Sequence, residues 1–219
     1  KQIRLGHGIY QLTTNHPARV AERVATLDLL SSGRCEFGMG ESASITELEP
    51  FGVNMENKRE VFEEAVRAII PMFRDGPSEH HGKYFDIPLR NVVPKPVQKP
   101  HPPLFQAFSQ SESTIRWCAQ EGLIPTLLTS DLGELRNFCN IHVEEAAKHG
   151  RNLKLGENMG VFRSVYMADT KERARQIGME GLMGTGWPGW AHDFGFTDAF
   201  RLPEDDIKYP GQTLPKSEV

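Results

Sequence analysis

Apolar positions along the chain switch between two periods. Ile3–Tyr10 alternates and reads as a strand. From Pro17 the spacing Val20, Ala21, Val24, Leu27, Leu30 is helical, with proline in the first turn and Gly33 beyond the end. Arg34–Gly40 predicts a short strand ending in glycines. Asn57–Arg74 predicts an amphipathic helix with Val61, Phe62, Ala65, Ile69, Met72 and Phe73 on one side and Asn57 as its cap. Pro88, Pro94, Pro96, Pro100, Pro102 and Pro103 then break any helix, so Glu79–Pro103 is expected to be extended, with a small hairpin around Lys83–Ile87. Leu104–Phe108, Ile124–Thr129 and Met159–Met167 predict three more strands. Helices follow them over Ser111–Glu121, Leu132–His149 and Thr170 to about Met183.

Five strand-then-helix units predict a parallel sheet covered by helices. A (β/α)8 barrel needs roughly 250 residues, and the chain has 219. Periodicity alone therefore leaves two architectures, a barrel lacking parts at both ends or an open doubly wound sheet. The chain opens on Ile3-Arg4-Leu5-Gly6 with no approach segment, and Tyr209–Val219 trails off without a core element. Both ends read as cut, and an incomplete chain is expected.

Composition narrows the function classes. With 38% hydrophobic and 25% charged residues the chain is an ordinary globular protein. A net charge of −4 gives no basic footprint for nucleic acid or an anionic membrane surface, and no apolar run is long enough for a membrane span. Cys35, Cys118 and Cys139 are odd in number and widely spaced, so free thiols in a reducing cytoplasm are expected. His7 and His16 flank the first strand, and His80, His81 and His101 lie in the proline-rich stretch. None forms an H-x-x-x-H pair and no C-x-x-C occurs, so no metal site is expected.

Three features could carry chemistry. Gly38-Met39-Gly40 ends a strand at the face where parallel barrels build their sites, and glycine there would let a flat ring or a phosphate approach. A plain strand-to-loop turn explains the same residues. Gly40-Glu41-Ser42-Ala43-Ser44 lacks the second flanking glycine of a nucleophile elbow and leads into a loop, which argues against a hydrolase. Ser109 to Thr114 put hydroxyls and unpaired N–H groups at a helix N-terminus, suited either to an anion or to ordinary capping. Arg59 sits in the first turn of its helix, where the macrodipole disfavours a cation, so an anionic partner is expected. Trp187, Trp190, Phe194 and Phe196 either line an apolar pocket or pack a loop.

Taken in order, His16-Pro17, Ala21-Glu22, Leu27-Asp28, Leu30-Ser31, Gly33-Arg34, Phe37-Gly38, Gly40, Phe51-Gly52, Arg59 and Glu63-Glu64 resemble the bacterial-luciferase-like flavin-dependent monooxygenases. The run continues through His81-Gly82-Lys83-Tyr84-Phe85, Pro94-Lys95-Pro96, Gln98, Pro100-His101-Pro102-Pro103, Ser113-Thr114 and Gly122. The resemblance covers roughly residues 2–185.

The resemblance implies a single (β/α)8 TIM-type barrel domain over 1–219, running from its third strand to about its seventh unit and lacking two βα units and its C-terminal end. It implies reduced FMN as cofactor, with the deazaflavin F420 as the other option. Arg59, Ser111 and Thr114 would hold the flavin phosphate, the strand Gly6–Tyr10 with Gly8 and Ile9 would pack against the isoalloxazine, with a non-prolyl cis bond at Gly8–Ile9, and Gly40 and Gln110 would also bind the cofactor. The implied reaction joins reduced flavin, supplied by a separate reductase, to O2 as a C4a-hydroperoxide that oxygenates a small organic substrate. Hydride transfer on F420, or flavin binding without catalysis, are the alternatives. Two departures stand out. Glu41 takes the place of a phosphate-binding Arg, and the family's assisting histidine belongs to a strand this chain lacks, so no catalytic residue is assigned. A homodimer is expected, packed through the small face Ala18, Ala21 and Ala25.

Overall fold

The computed structural model describes residues 2–42, 44–107, 109, 111–128, 131–163, 165–184 (backbone alone at 182–184) and 207–208. The chain divides into two compact units, Lys1–Glu41 with Glu56–Phe162, and Ser42–Met55 with Arg163–Val219.

In the first unit, β1 (Leu5–Gly6) and β2 (Tyr10–Gln11) lead into α1 (Pro17–Leu30), followed by β3 (Cys35–Gly40). In the second, α2 (Ile45–Leu48) runs into a 3-10 turn (Glu49–Phe51) that Gly52 closes with φ 71°. The first unit resumes with α3 (Lys58–Met72), the hairpin β4 (Ser78–His81) and β5 (Asp86–Arg90), then β6 (Leu104–Gln106), α4 (Glu112–Glu121), β7 (Ile124–Leu127), α5 (Leu132–Lys148) and β8 (Gly160–Val161). The second ends, among described helices and strands of more than two residues, with α6 (Lys171–Gly184). The sheet order is β1-β3-β6-β7-β8, with β2 also on β3, and every pairing is parallel.

Residues paired across a parallel ladder share a face of the sheet. One face carries Cys35, Phe37, Met39, Leu104 and Leu127, all buried. The first four pack with Val20 and Val24 of α1, Phe62, Ala65 and Ile69 of α3, and Trp117 and Cys118 of α4 in one core. The other face carries Glu36, Phe105, Ile124 and Thr126, each only partly buried. A smaller cluster joins Ile115, Leu127, Phe138 and Ile141.

Several expectations change. Ile3–Tyr10 is not one strand. Leu5 pairs with Cys35 but Tyr10 pairs with Met39, so the first segment carries one residue more than β3 over the same span. The extra residue falls in His7–Ile9 as a bulge. The expected cis bond at Gly8–Ile9 is not found, because the cis peptides of the described residues are Val93–Pro94 and Lys99–Pro100. A prolyl amide has far less trans preference than an ordinary one. Among the described residues of Met159–Met167, only Gly160–Val161 pairs as strand. The hairpin is longer than expected, with residues 82–85 forming its loop. On α1, Ala21 and Ala25 are buried within this chain, with Ala21 in the core that α3 shares, so the small face is not presented to a second copy. No helix among the described residues is long and apolar enough to cross a membrane.

Candidate functional site

The sequence-predicted residues fall on separate elements: Gly8 and Ile9 between β1 and β2, Gly40 at the end of β3, Arg59 in the first turn of α3, and Ser111 and Thr114 at the start of α4. Gly38 and Gly40 lie inside β3, and what they admit is the chain itself. A Cβ on Gly38 would lie 2.0 Å from the carbonyl oxygen of His7, and one on Gly40 would lie 2.5 Å from Ile9 Cδ1. The glycines thus seat the His7–Ile9 bulge against β3. The slot expected over Gly40 for a flat ring is filled by the Ile9 side chain. A Cβ on Gly8 would meet nothing within 4 Å. The structure therefore brings Gly8, Ile9 and Gly40 together, as a bulge on a strand.

The sequence offers His7 only as a possible metal ligand, and the structure gives it a different setting. Its ring lies 5.0 Å from that of Tyr10, whose hydroxyl meets Arg23 at 2.8 Å. Burial lowers the His7 pKa, and buried Nδ1 finds no hydrogen-bond partner. The same holds for Gln11 Nε2, Gln106 Oε1 and Trp117 Nε1. Buried polar atoms are nearly always paired, so each of these is a candidate contact for water or a ligand.

Ser111 is the N-cap of α4. Its hydroxyl accepts from the Thr114 N–H at 3.2 Å and lies 3.1 Å from Ser113 Oγ and 3.0 Å from Thr114 Oγ1. These side chains are on the accessible side of the helix end. The capping reading is correct, and it leaves three hydroxyls where the helix also directs unpaired N–H groups and the positive end of its dipole. Beside them Ser109 is fully buried, donates to the Gln106 carbonyl at 3.1 Å and contacts the Cys118 thiol. Gln110 lies outside the described residues, as do Trp187, Trp190, Phe194 and Phe196.

Arg59 has its anionic partners within the chain. Nε donates to Glu63 Oε1 at 2.7 Å and Nη1 meets Glu41 Oε1 at 3.3 Å. Its guanidinium stacks 4.7 Å from the Trp117 ring centroid and 5.7 Å from that of Phe62. Trp117 is what links Arg59 to α4, three residues on from Thr114. The Arg59–Glu63 pair was available from i,i+4 spacing. The stack on Trp117 was not, since it joins residues on different helices. Among the described residues no group of three or more His, Cys, Asp or Glu side chains is arranged to hold a metal.

A family model described as luciferase-like monooxygenase matches residues 1–199. The chain is 34% identical over 122 residues to an uncharacterised protein of Sinorhizobium fredii, a match covering 56% of this chain and 35% of that protein. It is 27% identical over 179 residues to the oxygenase component of the flavin-dependent trigonelline monooxygenase of Acinetobacter baylyi, covering 80% and 49%. Among solved structures it superposes, with a TM-score of 0.76 and 22% identity, on the oxygenating constituent of 3,6-diketocamphane monooxygenase of Pseudomonas putida in complex with FMN, covering 91% and 59%. At that identity the likeness shows the fold, an α/β fold built on a parallel sheet. The chain spans about half or less of the length of these two curated relatives.

Proposed function

This chain belongs to the luciferase-like monooxygenase family, and from that premise we propose that it forms the flavin-phosphate side of a two-component oxygenase. The whole protein would use reduced FMN and O2 to oxygenate a small organic substrate, with a separate reductase supplying the flavin. The described fold would be part of a (β/α)8 barrel, from its third strand to about its seventh unit.

The observation that carries this reading is the hydroxyl-lined N-terminus of α4, where Ser113 Oγ and Thr114 Oγ1 lie 3.1 and 3.0 Å from Ser111 Oγ. Hydroxyls and free N–H groups at a helix start suit a phosphate in both geometry and charge. Ser111 and Thr114 would bind it directly. Arg59 would contribute its charge once Glu41 moves aside. Gly8 and Ile9, on the accessible bulge, would border the ring. Bound reduced flavin supplies the electrons for oxygen insertion. The chain's own task is to hold the phosphate end and to keep water from the reacting end. His7, whose pKa burial lowers, is the titratable group next to Gly8 and would hold or move one proton at Nδ1. The proposed soluble homodimer would use a surface other than the buried face of α1.

Titration of the chain with FMN, followed by flavin fluorescence, tests the reading. Binding that Ser111→Ala with Thr114→Val weakens at least ten-fold supports it. FMN binding unaffected by that double variant would remove the α4 site. O2 uptake with FMN and a reductase, against hydride transfer with F420, separates the oxygenase from the deazaflavin alternative. Flavin bound with neither activity would mark a non-catalytic relative.

A further inference from the structure

Five charged side chains, from the end of β3 along α3 to the end of α4, form a line. Glu41 Oε1 lies 3.3 Å from Arg59 Nη1, and Arg59 Nε lies 2.7 Å from Glu63 Oε1. Arg67 then reaches Glu63 Oε2 at 3.6 Å and Glu121 Oε1 at 3.1 Å. Three carboxylates against two guanidiniums leave one negative charge in excess.

The two carboxylates on Arg59 are not equivalent. Glu63 is held by two arginines, one on each side, both one turn away on its own helix. Glu41 ends the line and touches it through one longer contact. Its backbone carbonyl is separately held by Thr13 Oγ1 at 3.2 Å, so the side chain can turn away without moving the strand end. Arg59 stays in place when it does, because the Trp117 and Phe62 rings and Glu63 hold it from other sides.

We propose that Glu41 determines ligand specificity at this site. It is the chain's own anion on Arg59, an incoming phosphate must replace it, and the site therefore weakens ligands according to their negative charge. The proposal rests on the flavin reading only for the identity of the ligand. A dianionic phosphate must displace the carboxylate and then sit near the excess charge, whereas a ligand with an uncharged end does neither.

The test compares the chain with Glu41→Gln and Glu63→Gln, using FMN, riboflavin and inorganic phosphate as probes, by fluorescence titration and thermal unfolding. Glu41→Gln is expected to tighten FMN on the order of ten-fold, the size of one removed charge acting on a nearby dianion in a solvated setting, and to enlarge stabilisation by phosphate. Riboflavin binding should not change. Glu63→Gln should give the smaller gain, because Glu41 still occupies Arg59. Should Glu41→Gln fail to fold, Glu41→Ala repeats the measurement. Equal FMN gains in the two variants, or no gain in Glu41→Gln, would overturn the proposal. If neither flavin binds any form yet phosphate still stabilises Glu41→Gln most, the role of Glu41 stands and the flavin reading falls. No response to any probe overturns both.

Discussion

The carboxylate of Glu64 fills the space that a Cβ on Gly82 would take, with Oε1 2.1 Å from that position. From there it accepts hydrogen bonds from the backbone N–H groups of Lys83, Tyr84 and Phe85 at 3.0, 2.9 and 2.7 Å. One side chain on α3 thereby closes the hairpin loop between β4 and β5. Gly82→Ala is expected to push the carboxylate off these donors and to cost about 1–3 kcal/mol, as overpacking does. Urea unfolding checks this, and a change under about 0.5 kcal/mol would show that the loop closes another way.

Removing the charge should change the response to acid. Burial alone would raise the Glu64 pKa, but the three backbone donors and His80 outweigh it and hold it below the ordinary carboxylate value. A carboxyl with a depressed folded pKa adds stability that is complete above its unfolded pKa and is lost as pH falls through the folded one. Glu64→Gln should cost about 1.5–3 kcal/mol near neutral pH, in line with hydrogen bonds to a charged group. The deficit should shrink below pH 4. A deficit constant from pH 7 to pH 3 would contradict the assignment.

Gly38 faces backbone rather than a movable side chain, since the His7 carbonyl lies 2.0 Å from its would-be Cβ. Gly38→Ala must shift the bulge off β3 and is expected to cost about 3 kcal/mol or more, at the severe end for single substitutions. Gly8→Ala, with nothing within 4 Å, is the control and should stay within about 0.5 kcal/mol. Similar losses in both variants would mean that the bulge is not seated by Gly38.

Asp28 is fully buried and accepts from Gln98 N at 2.9 Å, Gln98 Nε2 at 2.7 Å and Cys35 N at 3.4 Å. Both carboxylate oxygens face donors, so an amide in its place turns an N–H2 group toward an N–H. Asp28→Asn should cost about 1–3 kcal/mol, the penalty for leaving a buried donor unmatched. Chemical denaturation should also show Gln98→Ala and Asp28→Asn to be non-additive, because they break the same contacts. Simple additivity would contradict the pairing.

The three thiols should differ in reactivity. Burial and the neighbouring Asp28 push the Cys35 thiol up to about 11, and burial pushes Cys118 up to about 12. Cys139 is half-buried and also raised by burial. Since the thiolate is the nucleophile, iodoacetamide at pH 8 should label Cys139 first in the folded chain and all three alike in denaturant. Peptide mass spectrometry reads the order. Labelling of Cys35 or Cys118 as fast as Cys139 would contradict this core.

Many residues that carry the family resemblance turn out to do structural work. Asp28 with Gln98 pins the proline-rich crossing to β3, and Glu64 with Gly82 closes the hairpin. Arg59 is itself saturated by Glu41, Glu63 and Trp117. A recognisable motif marks a family because its contacts build the fold, and those contacts need not touch a ligand.

What the sequence determined by itself was the order of the long helices and the parallel sheet they cover. Hydrophobic period, capping residues and proline placement are local properties, and they fixed α1, α3, α4 and α5 to within a few residues. Only the tertiary structure decided how that order is used. The bulge at His7–Ile9 depends on register against β3, which a single strand does not encode. The occupancy of Gly38 and Gly40 by His7 and Ile9 depends on which chain lies opposite. The state of Arg59 depends on residues 18 and 58 positions away, Glu41 and Trp117. Packing brings such partners together across the chain, and no local period reports them.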